Sequence, residues 1–425
     1  MVERNTKALL VKPRWVAGVM SLCLFSFCSL LSCGELCAVL PDGSCWKAPI
    51  GCTTPWGLAG PAPGAAKMKQ ISDFPSDTDW INVSGNGDAD HPLVITGSGV
   101  ITKMVRIREG SSYVILDGLT IRPEPSKDYA WGGSDVFIEG GTHHIAVRNC
   151  TLKSANDADP TAASRFRTLL STNPSQGRNV EYVTVYNCTV GPLGDWTQND
   201  GTDHGGLMFP AGTKYVRVFD CTISDIGGDA IGLPNETMFA DRGGVDFPAT
   251  DIQIGRCHLQ RCKENLIDGK LVQGIIISEC ILEKTNAFST SSRGDAVDIT
   301  VGTDGILQQI INDHGGTIQW MSPDNAWLLF NDIRDLSRGA IFTAASFTPA
   351  DRNGTMYSVG NTWTNINAAG RGSGTGLIAG NGNKVLSFND TFTNVDQDTS
   401  MVVFQEQIPQ AAFRQEFGRD LEQKP

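Results

Sequence analysis

Acidic and basic side chains that could act together on a carboxylated substrate recur at one place in the sequence. Asp268 and Asp298 each follow an aliphatic residue in a short strand-like segment, and Lys270 lies two residues after Asp268. Side chains alternate between the two faces of a strand, so residues 268 and 270 share a face. If the two segments stack as neighbouring strands, two carboxylates and one lysine face solvent side by side. Such a set can take a proton from a carbon next to a carboxylate.

The carboxylates of this group are candidate metal ligands. Hard cations such as Ca²⁺ prefer carboxylate oxygens, and several must converge on one ion. We expect Asp268 and Asp298, with Glu264 or Asp295 from the turns just before the strands, to hold Ca²⁺ that neutralises a substrate carboxylate. The competing interpretation is that Asp268 and Asp298 are solvated ladder residues with no ligand, as exposed charges on repetitive folds usually are.

Lys270 and Arg293 supply the basic groups that an elimination reaction needs. We expect Lys270 to act as the base, with its pKa lowered by Arg293 or by the metal. Arg293 would bind the acidic group of the substrate or stabilise the enolate-like intermediate. In the competing interpretation, Lys270 is only the counter-ion of the neighbouring carboxylates.

Three residues elsewhere are candidates for substrate binding. Glu139 occupies the same repeat position as Lys270 and faces outward on an earlier strand. His204 follows an aspartate-rich stretch and could act as a base or a ligand, although a single loop histidine is usually neither. Trp131 lies in an inserted loop and could stack on a sugar ring, or could pack back on the scaffold instead.

These residues must be positioned by a short repeat that recurs along most of the chain. Each copy alternates apolar residues, breaks at a polar residue and a small residue, and then resumes with an inward position. In five copies the small residue is a cysteine: Cys150, Cys188, Cys221, Cys257 and Cys280. A second strand precedes most copies, as in Val136–Ile138, Leu266–Asp268 and Ala296–Ile299. Irregular spacing between copies indicates loops inserted at turns of a solenoid.

The repeat predicts an all-β fold, a single-stranded right-handed parallel β-helix with inserted loops. Like residues of neighbouring coils then lie about 4.8 Å apart. Asn149 and Asn187 should form part of a ladder at a turn with unusual backbone angles. The cysteines that follow them should stack inside as small apolar residues, and their parallel side-chain directions disfavour disulfides between them.

The segment from Pro92 to Arg122, with Ser-Ser-Tyr-Val-Ile-Leu-Asp-Gly-Leu-Thr-Ile-Arg at 111–122, resembles the opening coils of right-handed β-helix proteins related to pectate and alginate lyases. Later strands of the form Gly-Asp-Ala-Ile/Val resemble the repeats of that superfamily, over roughly residues 90–400. The resemblance implies the fold, and two chemistries common on it: β-elimination of uronate polymers and hydrolysis.

The motifs for the two chemistries are unequally represented. Polygalacturonases share an Asp-Asp pair, a Gly-His-Gly and an Arg-x-Lys, and only the last is matched, by Arg261-Cys-Lys263. The stretch from Glu264 to Asp298 resembles the lysine and arginine coils of the alginate lyase and chondroitinase-B family. Its acidic residues are spaced differently from those of that family. The resemblance therefore favours a lyase over a hydrolase.

Segment boundaries follow from composition. Residues 1–33 are basic and then apolar, which is typical of a signal peptide, and Leu-Leu-Ser-Cys at 30–33 resembles a bacterial lipobox with Cys33 as the lipidated residue. Residues 34–66 are rich in Gly and Pro and predict a linker, 67–405 the β-helix, and 406–425 a cap or tail. Disulfides among Cys37, Cys45 and Cys52 are left open.

Composition limits the partners. The chain has 425 residues, a net charge of −12 and only 19% charged residues, so nucleic acid is not an expected partner. We expect a monomer that is exported, as a secreted, periplasmic or outer-surface lipoprotein, without a transmembrane span beyond the signal segment. The expected partner is an acidic polysaccharide, which the chain cleaves by β-elimination. The alternatives are a surface protein that binds glycan without catalysis, and a hydrolase or epimerase on the same scaffold.

Overall fold

The chain winds into a right-handed parallel β-helix whose wall consists of three parallel sheets. A computed structural model describes residues 37–39, 45–54, 56–57, 66–124, 133–154, 167–174, 178–194, 204–233, 249–270, 272–284, 297–301, 326–336, 340–344, 355–366, 377–380, 384–395 and 403–404. For residues 37–39, 270, 273, 297–301, 340–344, 355, 377–380, 384–385 and 403–404, only the backbone belongs to this described part. The predicted signal peptide (1–33) and the C-terminal cap or tail (406–425) lie outside it.

Each full turn of the coil, called a rung below, contributes one strand to each sheet, and sheet 2 has one further strand at either end. Sheet 1 consists of Trp80–Val83, Met104–Ile107, Ser134–Glu139, Thr168–Asn173, His204–Met208, Gly228–Leu233, Ile267–Lys270, Val297–Val301, Ala340–Ala344 and Leu377–Gly380. Sheet 2 consists of Lys67–Gln70, Leu93–Thr96, Ser112–Asp117, His143–Arg148, Val180–Tyr186, Thr213–Phe219, Ala249–Gly255, Val272–Ser278, Ala326–Leu329, Thr355–Val359, Lys384–Phe388 and Val403–Phe404. Sheet 3 consists of Val100–Ile101, Thr120–Ile121, Thr151–Leu152, Thr189–Val190, Thr222–Ile226, His258–Cys262, Ile281–Glu283, Asp332–Leu336, Thr362–Ile366 and Thr391–Val395.

Two small elements lie outside the three sheets. Cys37–Val39 pairs antiparallel with Cys45–Lys47, and a 3-10 helix spans Ile71–Asp73. No helix in the described part of the chain is long and apolar enough to cross a membrane.

The predicted thiol column is confirmed, and it continues as an amide column. The five cysteines at the repeat position are free and buried. Asn331 and Asn361 take over this position in later rungs. The Cys280 amide donates to Asn331 Oδ1 (2.9 Å), and the Asn331 amide donates to Asn361 Oδ1 (2.8 Å). Burial raises the pKa of the Cys221 thiol well above its ordinary value, so this thiol stays protonated.

The residues before the cysteines turn the chain through left-handed backbone angles. Asn149 and Asn187 have φ of 55° and 49°, and Asn187 Nδ2 donates to Asn149 Oδ1 (2.8 Å). Asn149 Nδ2 in turn donates to Asp117 Oδ1 (2.8 Å). The predicted asparagine ladder is therefore present, and its hydrogen bonds run between rungs along the outside of the turn.

Residues 45–54 and 56–57, which we call the strap, pack on the outer face of sheet 2. The prediction of a linker is therefore wrong for these residues. The Trp46 ring lies 5.5 Å from the ring of Phe219, and its Nε1 donates to Asp220 Oδ2 (3.1 Å). The Ile50 amide donates to Glu279 Oε1 (2.6 Å). Glycine and proline content indicated a tether, but it does not report the apolar outward positions that these residues cover.

The strap completes a second apolar cluster outside the coil. Its buried members are Trp46, Cys52, Phe219, Ile276, Trp327, Leu329 and Val359. Polar contacts hold the strap in place above it, since the Thr53 amide donates to Gln253 Oε1 (3.0 Å) and Arg217 Nη2 donates to Thr53 Oγ1 (3.2 Å). Sheet 2 is therefore buried on both faces in these rungs.

Replacing Trp46 should destabilise the fold although it lies outside the coil. Trp46→Ala removes a side chain that is 4% exposed, so we expect a loss of about 3 kcal/mol in the free energy of unfolding. Urea denaturation checks this. Met68→Ala, at a position 55% exposed, is the control and should change stability by less than about 0.5 kcal/mol. Equal stability of the two variants would contradict the packing of the strap.

Four aromatic rings stack along the start of sheet 2. Tyr113, His144, Tyr182 and Tyr215 all have φ between 53° and 57°. Successive rings lie 4.4, 4.4 and 4.5 Å apart, with interplanar angles of 14° to 16°. Because one imidazole stands among three phenols at identical positions, a tyrosine can occupy the histidine's place without a change of backbone.

His144 should make the stability of the fold sensitive to acid. Burial, and then the charge of neighbouring His143, lower the pKa of His144 from 6.5 to about 4. Between pH 6.5 and about 4, His144 is protonated in the unfolded chain but not in the folded chain. The free energy of unfolding therefore falls as the pH drops through this interval. We expect His144→Tyr to lose less stability than the wild type over this interval, and to match it at neutral pH. Urea denaturation at both ends of the interval measures this; parallel pH profiles would refute it.

Candidate functional site

The backbone register brings the predicted acidic residues together on sheet 1. Asp268 pairs with Asp298, and Lys270 pairs with Thr300 on the same neighbouring strand. Ile267 belongs to the core, so Asp268 alternates onto the outer face of the sheet, and Lys270 follows two residues later on the same strand. The adjacency that the alternation predicts is therefore present in the backbone. Arg293 and Asp295, the other members of the predicted centre, lie outside the described residues.

The prediction that Asp268 faces solvent is wrong. Its side chain lies on the outer face of the sheet but is only 3% exposed. Strand alternation decides which face a side chain occupies, whereas burial also depends on what covers that face. One of the four predicted metal ligands is therefore withdrawn from water.

Glu264 lies at a turn that already holds a buried positive charge. The Lys284 ammonium is 4% exposed and donates to the carbonyl oxygens of Lys263 and Glu264. A second cation beside it would be repelled. Within the described part of the chain, no group of three or more His, Cys, Asp or Glu side chains is arranged to hold a metal ion. The side chains of Asp295 and Asp298 lie outside the described structure, so the calcium site stays a prediction.

His204 is not a loop residue, contrary to the prediction. It begins the sheet 1 strand His204–Met208, pairs with Gly228 and is 6% exposed. Its ring packs so closely on Gly194 that a Cβ there would lie 2.3 Å from His204 Cδ2. A direct contact between this imidazole and a polymeric substrate is therefore ruled out in this conformation. Trp131, the predicted aromatic contact, lies outside the described residues.

Glu139 lies on the outer face of sheet 1 among positive charges. Its Oε2 accepts the Glu109 amide proton (2.9 Å). Its Oε1 lies 3.3 Å from Arg108 Nη1 and 3.7 Å from Arg106 Nε. The carboxylate is thus fixed by three partners, and its contacts orient two arginines rather than leaving it free for a substrate.

The outer column of sheet 1 is open in its early rungs and covered in the middle. From Arg106 the register runs through Phe137, Ser171, Met208 and Gly232 to Asp268. The first three are half-buried, whereas the last three are buried. Ser171 belongs to the strand Thr168–Asn173, a rung that the repeat did not predict because no glycine-containing turn precedes it. In the described part of the chain, a ligand on this column has access near Arg106 and Phe137.

No protein-family model matches the chain, and no curated protein matches it. Solved structures do align with it over most of its length at 10–11% identity. Tailspike protein 2 of an Escherichia coli O157:H7 bacteriophage covers 87% of this chain with a TM-score of 0.45, and the chain spans 40% of that protein. A family 28 exopolygalacturonase from Yersinia enterocolitica covers 86% with a TM-score of 0.41, and the chain spans 81% of it. A pectate lyase covers 81% with a TM-score of 0.32, and the chain spans 69% of it. Likeness at this level gives no information on activity.

A second charged group, which the sequence analysis missed, lies on the outer face of sheet 3. His258 Nε2 and Arg334 Nε contact the two carboxylate oxygens of Glu283, both at 2.8 Å. Arg334 Nη1 donates to Asp332 Oδ2 (2.7 Å). These residues occupy outward positions on the sheet 3 strands, just after the thiol and amide column. Charged residues at these outward positions of the repeat were the signal for this group in the sequence.

Glu283 should stabilise the fold in a pH-dependent way. Burial raises the pKa of its carboxyl, but hydrogen bonds from Arg334 and His258 outweigh burial and hold the pKa below 4.5. The stabilisation is therefore present above this value and is lost as pH falls through the folded-state pKa. We expect Glu283→Gln to cost about 1 kcal/mol at neutral pH and nothing in acid. Urea denaturation measures it. The control is Glu124→Gln, at an exposed position, which should leave stability unchanged at neutral and at acidic pH. If Glu283→Gln costs the same at both pH values, the stabilisation by Glu283 does not come from its charge.

Proposed function

We propose that the chain is an exported carbohydrate-active protein that cleaves an acidic glycan by β-elimination on the outer face of sheet 1. The observation that carries the proposal is the register that pairs Asp268 with Asp298 and puts Lys270 on the same face. The amine of Lys270 supplies the base for proton abstraction next to a uronate carboxylate.

The proposed reaction needs only side chains of the chain itself. Lys270 in its neutral form takes the proton from C5 of a uronate, the carbon that bears the carboxylate. A double bond forms between C4 and C5 while the bond from C4 to the glycosidic oxygen breaks, and that oxygen takes the proton from the Lys270 ammonium formed in the first step. Arg293 stabilises the negative charge that develops on the substrate carboxylate during the step.

Export is part of the proposal. The basic and apolar leader at 1–33 supports a signal peptide, with Cys33 as the proposed lipid attachment site. Cys45 takes part in a disulfide bond, and disulfides persist in oxidising compartments. The free cysteines of the described part are all buried, which protects them in such a compartment.

A second candidate is a surface protein that binds an acidic glycan without cleaving it. The burial of Asp268 favours it, because a carboxylate withdrawn from solvent cannot contact a polymer directly. The open rungs near Arg106 and Phe137 would then be the whole functional surface.

Cleavage assays distinguish these functions. The mature protein is incubated with alginate, polygalacturonate and a glycosaminoglycan, and unsaturated ends are followed by ultraviolet absorbance. We expect absorbance to rise with the wild type and to be lost in Lys270→Ala. Lys214→Ala, on sheet 2, is the matched control and should keep the activity; circular dichroism verifies that both variants fold.

Other outcomes would replace the proposal. Binding without absorbance on every polymer would establish the non-catalytic protein. New reducing ends without absorbance would indicate a hydrolase, and an altered sugar composition would indicate an epimerase. Activity retained in Lys270→Ala would remove Lys270 as the base.

A further inference from the structure

We propose that Arg106 and Arg108 form a binding site for the carboxylate groups of an acidic glycan at the early rungs of sheet 1. This site, the arginine patch, consists of Arg106, Arg108, Glu139, Trp80 and Phe137. The inference rests on the acidic glycan of the proposed function, but it does not depend on whether that glycan is cleaved.

The register directs the patch away from the core. Arg106 pairs with Asn82 in the rung before it and with Phe137 in the rung after it. The flanking residues Val105 and Ile107 are fully buried in the core, so Arg106 projects from the outer face. Arg108 follows two residues later and shares that direction.

The two guanidinium groups are held in place before a ligand arrives. The guanidinium of Arg106 lies 4.1 Å from the centre of the Trp80 ring, which is packed against Phe137 at 5.9 Å. Glu139 contacts both arginines and is itself fixed by a backbone amide. Side chains that are already ordered lose little conformational entropy on binding, so such an arrangement favours affinity.

Donor groups remain available for a ligand. The side chain of Arg108 is 43% exposed, and within the described structure its guanidinium contacts Glu139 through Nη1. A guanidinium carries five N–H donors in a planar fork that matches a carboxylate. Arg178 and Glu109 form a further ion pair beside the patch, and Asp77 interacts electrostatically with Arg106, so the three arginines face three acidic side chains.

The neighbouring positions suit a sugar chain. Phe137 offers a half-exposed apolar ring, and Ser171 and Asn173 follow in the next rung with half-exposed hydrogen-bonding groups. Four register steps separate Phe137 from Asp268, which corresponds to about 19 Å along the coil. A glycan that reaches both places must therefore be an extended polymer lying along the axis of the coil.

Binding to two forms of one polymer tests the patch. Affinity is measured by calorimetry at low ionic strength for polygalacturonate and for its methyl-esterified form, which keeps the sugar but masks the carboxylate. We expect the wild type to prefer the free acid and to lose affinity as salt is added. Arg108→Gln should weaken binding of the free acid about tenfold, as expected for the loss of one charged hydrogen bond, and leave the ester unchanged.

Matched variants make the result decisive. Arg334→Gln removes an arginine that is 37% exposed and also paired with a glutamate, but on sheet 3, and should bind like the wild type. Arg108→Lys keeps the charge and should restore part of the affinity. Equal affinity of wild type and Arg108→Gln, equal binding of acid and ester, or no binding of the wild type would overturn the patch. Cleavage is measured separately, by absorbance. The experiments therefore distinguish a protein that binds through the patch without cleaving from a protein that cleaves without using the patch.

Discussion

Hydrogen bonding between successive rungs forces like positions of the coil into columns, and the rest of the structure depends on those columns. Rungs lie about 4.8 Å apart, so each side chain touches the residues at its own position above and below. In the interior, one column passes from the thiols that end at Cys280 to the amides of Asn331 and Asn361, and each amide oxygen accepts the backbone N–H of the rung before it. On the exterior, the same constraint means that any cluster of functional groups is built from neighbouring rungs rather than from one strand.

The three outer faces of the coil have become chemically different. Sheet 2 carries apolar residues such as Ile276 and Trp327 and is sealed by the strap. Sheet 3 carries carboxylates and basic side chains that pair with one another, as in the contacts of Glu283 with His258 and Arg334. Sheet 1 combines aromatic, basic and acidic groups with partial exposure in its early rungs. Of the three outer faces, sheet 1 is therefore the one that offers charged and aromatic side chains to a ligand in the described part of the chain.

Much of the scaffold could be predicted because alternation and stacking are local rules. The thiol column, the left-handed angles at Asn149 and Asn187, and the pairing of Asp268 with Asp298 all follow from the position within the repeat. The burial of outward residues could not be predicted, because it depends on segments that cover the coil and these segments do not follow the repeat. No repeat position indicates that Asp268 is buried, or that His204 lies within a strand rather than in a loop.

The strap escaped prediction for a related reason, although one signal was present. Its own sequence has no period, but the runs Ile275–Ile277 and 326–329 are apolar at both inward and outward positions. Strands of that kind are buried on both faces and need a cover. Composition alone, judged at residues 34–66, pointed to a tether because it ignores the surface to which a segment can bind.

The strap also sets an order of events during biosynthesis. Ile50 donates to Glu279, a residue 229 positions later in the chain. A ribosome adding about 5–20 residues per second takes roughly 10–50 s to make the interval between them. During that time Trp46 has left the ribosome while part of its docking surface does not yet exist. The piece of this protein that is translated early is therefore among the last to reach its native place.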